Sequence, residues 1–419
     1  MSTTTGTPAR IAFVCTDPGV PIFGTKGASV HAQSVIAEFV AAGHQVHVIT
    51  PRPGAYEDHR LAPSVQLHRL PEIGRGSAAE REHRAQAADR RVGEVLQRIH
   101  PDLVYERYAL WGRTATRWAA GHRVPSILEV NAPLIDEQAE FRELADPGQA
   151  RLVARSAFAT ADAVVCVSDR VAGWVRDLSS RPETIMVLPN GVDTERIRPA
   201  LRPIAGESDD HFTVGFLGTL KPWHGVESLI DALAPAGLNE PGWRLLVVGD
   251  GPLREELVAR ADAAGVDAEF TGAVRPEQVC GQLQRMDVAT APYPRSDDHY
   301  FSPLKIYEYL AAGLPVIASA IGQVPDALDH GRLGRLVRPG DPSALAVALS
   351  QLRRDRPERG RLSVAARQAA EERHTWTAVV GRALAAVGFR LGGSATVPAD
   401  GRDRLQSTVV ATAAVRTGR

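Results

Sequence analysis

The residues best suited to chemistry lie in the stretch from position 301 to 313, which reads FSPLKIYEYLAAG. A serine followed by a proline predicts a helix start, with Ser302 as the N-cap and Pro303 as the first helical residue. Lys305 then falls in the first turn, where the positive end of the helix dipole disfavours a cation. An anionic ligand at this terminus would reverse that penalty, since free N–H groups and the ammonium group would converge on it.

Glu308 follows Lys305 by three positions and stands among apolar and aromatic neighbours. A carboxylate in such surroundings needs a partner. A ribose diol is one candidate, because an ionised carboxylate can accept two hydroxyl protons at once. The alternative is an exposed Lys305–Glu308 ion pair on an ordinary capped helix. The residues alone leave both interpretations open.

A scaffold has to position these residues, and the chain supplies short apolar runs that alternate with helical stretches. This alternation predicts parallel β-sheets flanked by helices, in two doubly wound Rossmann-like α/β halves that face a central cleft. Thirteen runs are predicted strands: 10–15, 44–50, 65–70, 102–107, 125–130, 163–168, 184–189, 212–218, 243–251, 268–274, 287–293, 314–319 and 333–339.

The stretch 188–211 has an Asn-Gly turn, two prolines after Asn190 and no apolar run, which is typical of a linker between two halves. The expected organisation has six parts. They are a flexible N-terminus at 1–9, a first Rossmann-like domain at 10–198, a linker at 199–211, a second Rossmann-like domain at 212–375, a helix at 376–391 that packs back on the first domain, and a disordered tail at 392–419.

The composition excludes several classes of protein. The 419 residues carry 48 Lys+Arg against 49 Asp+Glu, and this balance argues against a general nucleic-acid binder. No apolar run reaches the ~20 residues of a membrane span, and the N-terminus lacks the pattern of a signal peptide. Walker, dinucleotide-binding and metal-ligand spacings are also absent from the sequence. We therefore expect a cytoplasmic protein with no transmembrane segment, no nucleic-acid partner and no metal.

Several segments carry a resemblance to a known family. FSPLKIYEYLAAGLPVIAS, beginning at 301, resembles the donor-site helix of retaining GT-B glycosyltransferases of family 4. Four further segments are similar to that family in type and in order: VLPNGVD at 187–193, VGDGP at 248–252, FTGAV at 270–274 and DALDHGRLGRLVRPGDPSALAVAL at 326–349. The resemblance covers most of residues 10–390 and implies the GT-B fold.

The resemblance also implies roles for individual residues. Glu308 would hold the ribose hydroxyls, and the start of its helix would meet the diphosphate. Two loops of the second domain would lie along the nucleotide and its base, and a glycine loop of the first domain would approach from the other side of the cleft. The implied donor-binding residues are Gly24, Gly27, Gly218, Lys221, His224, Asp250, Gly251, Pro252, Phe270, Val274, Tyr300, Ser302, Leu304, Lys305 and Glu308.

The first departure from the family pattern concerns the sugar. The family places a sugar-facing Glu eight positions before the ribose-binding one, and position 300 is a tyrosine here. Sugar recognition would then fall to neighbouring residues. The candidates are Asp297, Asp298, His299 and Tyr300.

A second departure concerns the phosphates. The Arg and Lys positions of the family read Thr219 and His224 here, and Lys221 is the cation that we expect to replace them. His224 would need to be protonated or to donate from a neutral ring. The alternative for His224 is a loop histidine with a structural hydrogen bond.

A third departure lies at the end of a first-domain strand, where the family often has a His near the sugar's 6-hydroxyl. Asn131 stands there, with Glu129 two positions earlier on the same face, and both are expected on the acceptor side. The alternative is an Asn that caps the strand end.

The resemblance implies a hexosyltransferase that moves a sugar from a nucleoside-diphosphate donor to a small polar or carbohydrate acceptor. It implies retention of the anomeric configuration, no cofactor, and a diphosphate-assisted front-face mechanism without metal. Lys221, Glu308 and Asn131 are the residues expected to act in catalysis. Two alternatives stand beside this function: a sugar-nucleotide epimerase or hydrolase on the same fold, and a non-catalytic nucleotide-sugar-binding partner protein.

Overall fold

The computed structural model describes residues 8–200, 211–234, 242–296 and 299–392. The expectations for 1–7, for most of the linker, for Asp297 and Asp298, and for 393–419 lie outside the described residues. Within them, each of the thirteen predicted strands is present and every strand pairing is parallel, so the predicted fold class is confirmed.

The first domain is built on a seven-stranded sheet with the order β3-β2-β1-β4-β5-β6-β7. Helices cover both of its faces. Its elements are β1 (Arg10–Cys15), α1 (Gly27–Ala41), β2 (Gln45–Thr50), β3 (Val65–Arg69), α2 (Ala78–Ile99), β4 (Leu103–Arg107), α3 (Thr114–His122), β5 (Ser126–Val130), α4 (Leu134–Phe141), α5 (Pro147–Thr160), β6 (Ala163–Cys166), α6 (Asp169–Leu178) and β7 (Ile185–Val187).

The second domain is built on a six-stranded sheet with the order β10-β9-β8-β11-β12-β13. Its elements are β8 (Phe212–Leu217), α7 (Val226–Leu233), β9 (Trp243–Val248), α8 (Arg254–Ala263), β10 (Ala268–Phe270), α9 (Pro276–Leu283), β11 (Val288–Ala291), α10 (Leu304–Ala311), β12 (Val316–Ser319), α11 (Val324–Ala327), β13 (Arg335–Val337), α12 (Pro342–Arg354) and α13 (Arg356–Arg373).

A last helix, α14 (Trp376–Ala385), returns to the first domain and packs beside α1. Where the chain crosses back, it pairs with the segment that left the first domain: the N–H of Val192 donates to the carbonyl oxygen of His374 at 2.7 Å. Val192 and Ile197 are themselves buried in the core of the second domain. The two crossing segments therefore run side by side.

Within the described ranges, no helix is long and apolar enough to cross a membrane, and no group of three or more His, Cys, Asp or Glu side chains could hold a metal ion.

Candidate active site

Loops at the carboxyl ends of the strands of both sheets meet in one cleft. The strand order reverses between β1 and β4 and between β8 and β11, and ligands of doubly wound sheets bind at such points. Residues of the two domains bond directly there, since the Ser168 hydroxyl donates to the carbonyl oxygen of Tyr300. The expected donor-site segment at 301–313 therefore lies between the domains.

Helix α10 begins one residue later than the sequence predicted. Pro303 is extended (φ −78°, ψ 101°), the first helical residue is Leu304, and no side chain caps the helix. The expectation that Ser302 is the N-cap was wrong, because its hydroxyl accepts the backbone N–H of Asn190 at 3.1 Å instead. The first N–H groups of α10 consequently have no side-chain cap, and Lys305 still lies in the first turn.

Lys305 is buried, with 8% of the residue exposed, and its Nζ has no hydrogen-bond partner among the described residues. The ammonium lies 4.0 Å from the ring centroid of Phe216 and 5.5 Å from that of Tyr293. Burial lowers the pKa of Lys305 to about 7, and the charge of Glu308 opposes this shift. A Cβ at position 218 would lie 2.9 Å from the ammonium, so only Gly218, at φ +147°, leaves this space open.

The partner of Glu308 is an arginine of the segment between the domains. Arg196 donates from Nη2 to a carboxylate oxygen of Glu308 at 3.1 Å, and both side chains are largely buried. Burial raises the pKa of Glu308, while Arg196 and then Lys305 favour the charged form. The alternative of an exposed Lys305–Glu308 ion pair is therefore wrong.

The loop after β8 carries Lys221 and His224. Lys221 is half-buried, and its ammonium lies 5.4 Å from the ring centroid of Trp223. His224 donates from Nδ1 to the carbonyl oxygen of Thr219, which is the structural hydrogen bond named above as the alternative. Burial, followed by the charge of Lys305, lowers the pKa of His224 to about 3. The ring is thus neutral near pH 7 and offers an anion no positive charge.

The loop after β9 packs directly on that loop. The N–H of Leu220 donates to the carbonyl oxygen of Asp250 at 2.9 Å, and a Cβ at position 251 would collide with the Leu220 backbone, which accounts for Gly251. Pro252 is exposed beside it. Phe270 and Val274, the residues expected near the base, are half-buried and pack against the hydrophobic cores of the second domain.

Tyr300 reaches across the cleft. Its hydroxyl donates to a carboxylate oxygen of Glu137 in α4, and its ring packs against a core cluster of the first domain. The neighbouring His299 is 7% exposed, and both of its ring nitrogens lack a hydrogen-bond partner among the described residues. A carboxylate of the first domain therefore lies beside the position where the family has a sugar-facing Glu.

On the acceptor side, Glu129 is a buried carboxylate whose Oε1 accepts two hydrogen bonds. It accepts from His31 Nε2 at 2.6 Å and from the Tyr105 hydroxyl at 3.1 Å, and Arg107 lies 3.7 Å away. Burial acts to raise its pKa, but His31, Arg107 and Tyr105 together outweigh burial and the pKa is lowered. Asn131 follows at the strand end, with a buried Nδ2 that has no partner among the described residues.

The first-domain glycine loop faces α10. A Cβ at Gly27, the first residue of α1, would lie 3.5 Å from Cδ1 of Leu304, whose side chain packs against the first-domain core. Helix α1 also begins without a side-chain cap. Gly24 is held against α1, because its carbonyl oxygen accepts a hydrogen bond from the Gln33 side chain at 2.7 Å. Two uncapped helix N-termini therefore meet across the cleft.

Comparison with known proteins agrees with this geometry. One family model, described as Glycosyltransferase Family 4, matches residues 25–196, and another, described as Glycosyl transferases group 1, matches residues 211–355. Together these ranges cover both domains. The chain belongs to the group 1 glycosyltransferases of the GT-B fold. The expected family and enzyme class are confirmed.

Curated relatives of this glycosyltransferase include two from actinobacteria. The GDP-mannose-dependent alpha-(1-6)-phosphatidylinositol dimannoside mannosyltransferase of Mycobacterium tuberculosis is 29% identical over 373 residues, which cover 84% of this chain and 90% of the relative. The D-inositol 3-phosphate glycosyltransferase of Stackebrandtia nassauensis is 29% identical over 313 residues, which cover 68% of each.

Solved structures share the fold of the glycosyltransferase. Sucrose-phosphate synthase from Thermosynechococcus elongatus superposes with a TM-score of 0.69 at 20% identity, covering 89% of this chain and 96% of that one. HepE of Anabaena, solved in complex with UDP, superposes with a TM-score of 0.66 at 19% identity, covering 89% of this chain and 98% of HepE.

The glycosyltransferase has a cavity of about 1340 Å³ in the cleft. It is lined on one side by α2, α4 and α6 of the first domain and on the other by Trp223 and the 299–301 segment. Among the described residues, several buried polar atoms that have no hydrogen-bond partner lie near the cleft. Examples are the hydroxyl groups of Tyr108 and Tyr293, Nδ2 of Asn131, the ring nitrogens of His299 and Nζ of Lys305.

Sequence reasoning missed the residues that hold the named ones in place. Arg196 falls in the segment interpreted as a polar linker, and neither Glu137 nor His31 was singled out as a candidate. The signal for Arg196 was its place next to Ile197, the one apolar residue in the stretch 193–198. The other two carry no local signal, since their partners are distant in sequence.

Proposed function

We propose that this glycosyltransferase transfers a hexose from a nucleoside-diphosphate sugar to an acceptor hydroxyl, with retention of configuration and without a metal ion. The observation that carries the proposal is Lys305, a buried cation without a partner at the uncapped N-terminus of α10. A buried charge without a counter-ion is costly unless a ligand supplies one. A diphosphate in the cleft would be that ligand.

The groups around Lys305 fit the two ends of a nucleoside diphosphate. The N–H groups that begin α10 and α1 face the same part of the cleft, and helix N-termini bind phosphate oxygens. Lys221 adds a second cation from the loop after β8. Glu308, held by Arg196, accepts the ribose hydroxyls, and Phe270 and Val274 lie towards the base.

The mechanism that we propose needs no protein nucleophile. The bond between the anomeric carbon and the diphosphate oxygen breaks, and the acceptor oxygen bonds to that carbon on the same face. The hydroxyl proton of the acceptor passes to the departing diphosphate oxygen. Lys305, Lys221 and the helix termini stabilise the negative charge that develops on this oxygen. The carboxylate of Glu129 is held inside the first domain by His31, Tyr105 and Arg107. These contacts support a mechanism in which Glu129 does not act as a nucleophile.

The donor and acceptor classes rest on the relatives. They include a GDP-mannose-dependent mannosyltransferase and several D-inositol 3-phosphate glycosyltransferases, so we propose a hexose donor and a sugar or cyclitol acceptor. We also propose a cytoplasmic location, where the free thiols of Cys15 and Cys166 would remain reduced.

The test is an assay with a panel of UDP-, GDP-, ADP- and dTDP-sugars, in the presence and absence of EDTA. Product formation that survives EDTA, with the donor's anomeric configuration seen by NMR, supports the proposal. An inverted product or loss of activity with EDTA contradicts it. Sugar release without an acceptor would identify a hydrolase, and donor binding without any turnover would identify a non-catalytic partner protein.

A further inference from the structure

The cleft cavity carries a strong excess of negative charge. Eight of its lining residues are Asp or Glu, three are Arg and none is Lys. Three of the acids, Asp136, Glu137 and Glu140, follow one another along α4. Like charges this close on a helix repel each other. Among the described residues, the cavity wall is therefore unsuited to an anionic ligand.

At least three of the eight acids have structural partners, and one of them is Glu137, which accepts from the Tyr300 hydroxyl. Glu82 accepts the backbone N–H groups of Ala145 and Asp146, and Asp17 accepts that of Gly19. Glu140 is exposed and accepts no such hydrogen bond among the described residues. The charge on α4 thus faces the cavity rather than the interior of the domain.

Aromatic rings supply the rest of the wall. Trp111 and Trp174 line it from the first domain, and Trp223, which is 52% exposed, lines it from the second. Flat aromatic faces pack against the C–H faces of sugar and cyclitol rings, and they also attract ammonium groups. Acids and indole rings together favour a hydroxylated ring that carries a positive charge.

The unpartnered ring of His299 is a second, independent feature of the cavity that indicates a polar ligand. His299 is 7% exposed and lines the cavity, yet both of its ring nitrogens lack a partner among the described residues. Its ring centroid lies 4.1 Å from that of Phe301, with the two rings tilted by 39°, and it meets Tyr293 edge-on at 4.7 Å, so the ring is fixed in place. Burial lowers the pKa of His299 to about 4, which makes it a neutral hydrogen-bonding group near pH 7.

We propose that the acceptor is a polyhydroxylated ring without phosphate, and that a protonated amine on this ring strengthens its binding. The proposal rests on the proposed function, because it assumes that the cavity beside the donor site receives the acceptor. It distinguishes this chain from relatives whose names specify an inositol phosphate. The amine would lie towards Asp136, Glu137 and Glu140, with the ring against the indoles.

The test compares three probes that differ in charge: myo-inositol, myo-inositol 3-phosphate and 2-deoxystreptamine. Their dissociation constants are measured by calorimetry on the full chain, alone and with saturating nucleoside diphosphate. We expect 2-deoxystreptamine to bind most tightly and the phosphate least tightly. Rising salt should weaken the amine selectively. Equal binding of all three, absence of binding by all three, or tighter binding of the phosphate overturns the proposal.

A matched pair of variants locates the effect. Glu140→Gln should raise the dissociation constant of 2-deoxystreptamine about two- to fivefold, and more than that of myo-inositol. Glu94→Gln, which removes an exposed acid on α2 that pairs with Arg91, should change neither. An equal effect of both variants on the amine would contradict the assignment to α4.

The same samples separate this proposal from the proposed function. Thermal shifts with UDP, GDP, ADP and dTDP report on the donor site alone. Nucleotide binding that depends on Lys305, combined with the wrong order of acceptor probes, would overturn only the acceptor proposal. Absence of nucleotide binding would overturn the proposed function.

Discussion

The guanidinium of Arg196 lies 3.1 Å from a carboxylate oxygen of Glu308. Arg196 belongs to the segment that connects the two domains, whereas Glu308 lies in α10 of the second domain. The carboxylate proposed to hold the ribose is therefore oriented by the connecting segment. Its orientation depends on how that segment packs, through the buried Ile197, against the second domain.

Replacing Glu308 by Gln should weaken donor binding and leave the fold intact. The substitution keeps the size of the side chain but removes the charge that accepts hydroxyl protons and pairs with Arg196. A hydrogen bond to a charged group is worth about 1.5–3 kcal/mol, so we expect the dissociation constant of the nucleotide sugar to rise roughly 10- to 100-fold in calorimetry. Glu94→Gln is the control, and unchanged affinity in Glu308→Gln would refute the ribose assignment.

Donor affinity should fall as the pH rises above about 7. Burial lowers the pKa of Lys305 to about 7 in the free protein, so the free side chain loses its proton above that pH. A bound diphosphate raises this pKa, because it favours the charged ammonium. Affinity is then constant below pH 7 and decreases by about tenfold per pH unit above it, up to the pKa of the complex.

The variant Lys305→Met isolates this effect. It should bind nucleotide sugars weakly and with no pH dependence between 6 and 9, a range in which the diphosphate of a nucleotide sugar gains no proton. His224 and His299, with pKa values lowered to about 3 and about 4, do not titrate there. A wild-type affinity that stays flat across this range would show that Lys305 does not meet the diphosphate.

Tyr300→Phe should weaken recognition of the sugar part of the donor without changing the affinity for the nucleoside diphosphate. The change removes the hydroxyl that donates to Glu137 and leaves that carboxylate without its partner. A lost hydrogen bond to a charged group predicts about a tenfold rise in the KM of the nucleotide sugar. The dissociation constant of the nucleoside diphosphate should stay the same, and if it rises equally, Tyr300 has no specific role at the sugar.

Trp376→Ala should destabilise the first domain, although Trp376 belongs to the last helix. The side chain is 4% exposed and its ring lies 4.8 Å from that of His31. Removing a buried aromatic side chain costs about 3–5 kcal/mol, measurable by denaturant unfolding. Trp223→Ala, which removes an indole that is 52% exposed, should change the free energy of unfolding by less than about 1 kcal/mol. Similar losses in both variants would contradict the packing of α14.

The strands were predictable because most are short apolar runs, a signal that lies within a few residues. The inner strands β4 and β5 are buried along their whole length, whereas β3 and β7 at the edges are partly exposed. Lys305 was also predictable, because a lysine at a helix start is locally anomalous. The role of Ser302 was not. Its hydroxyl bonds to Asn190, which is 112 residues away, and no local capping pattern reports a contact of that kind. Glu137 escaped sequence analysis for the same reason, since Tyr300 lies 163 residues further along the chain.

The return of α14 to the first domain has a consequence for synthesis on the ribosome. Trp376, Val380 and Leu384 belong to the same buried cluster as Ile11, Phe13 and Ile36, so the first domain to emerge lacks part of its own core until the last helix is made. The second domain, whose core includes no residue beyond Ala370 in its two main clusters, can complete its packing earlier. The order in which the domains mature is therefore the reverse of the order in which they begin to be translated.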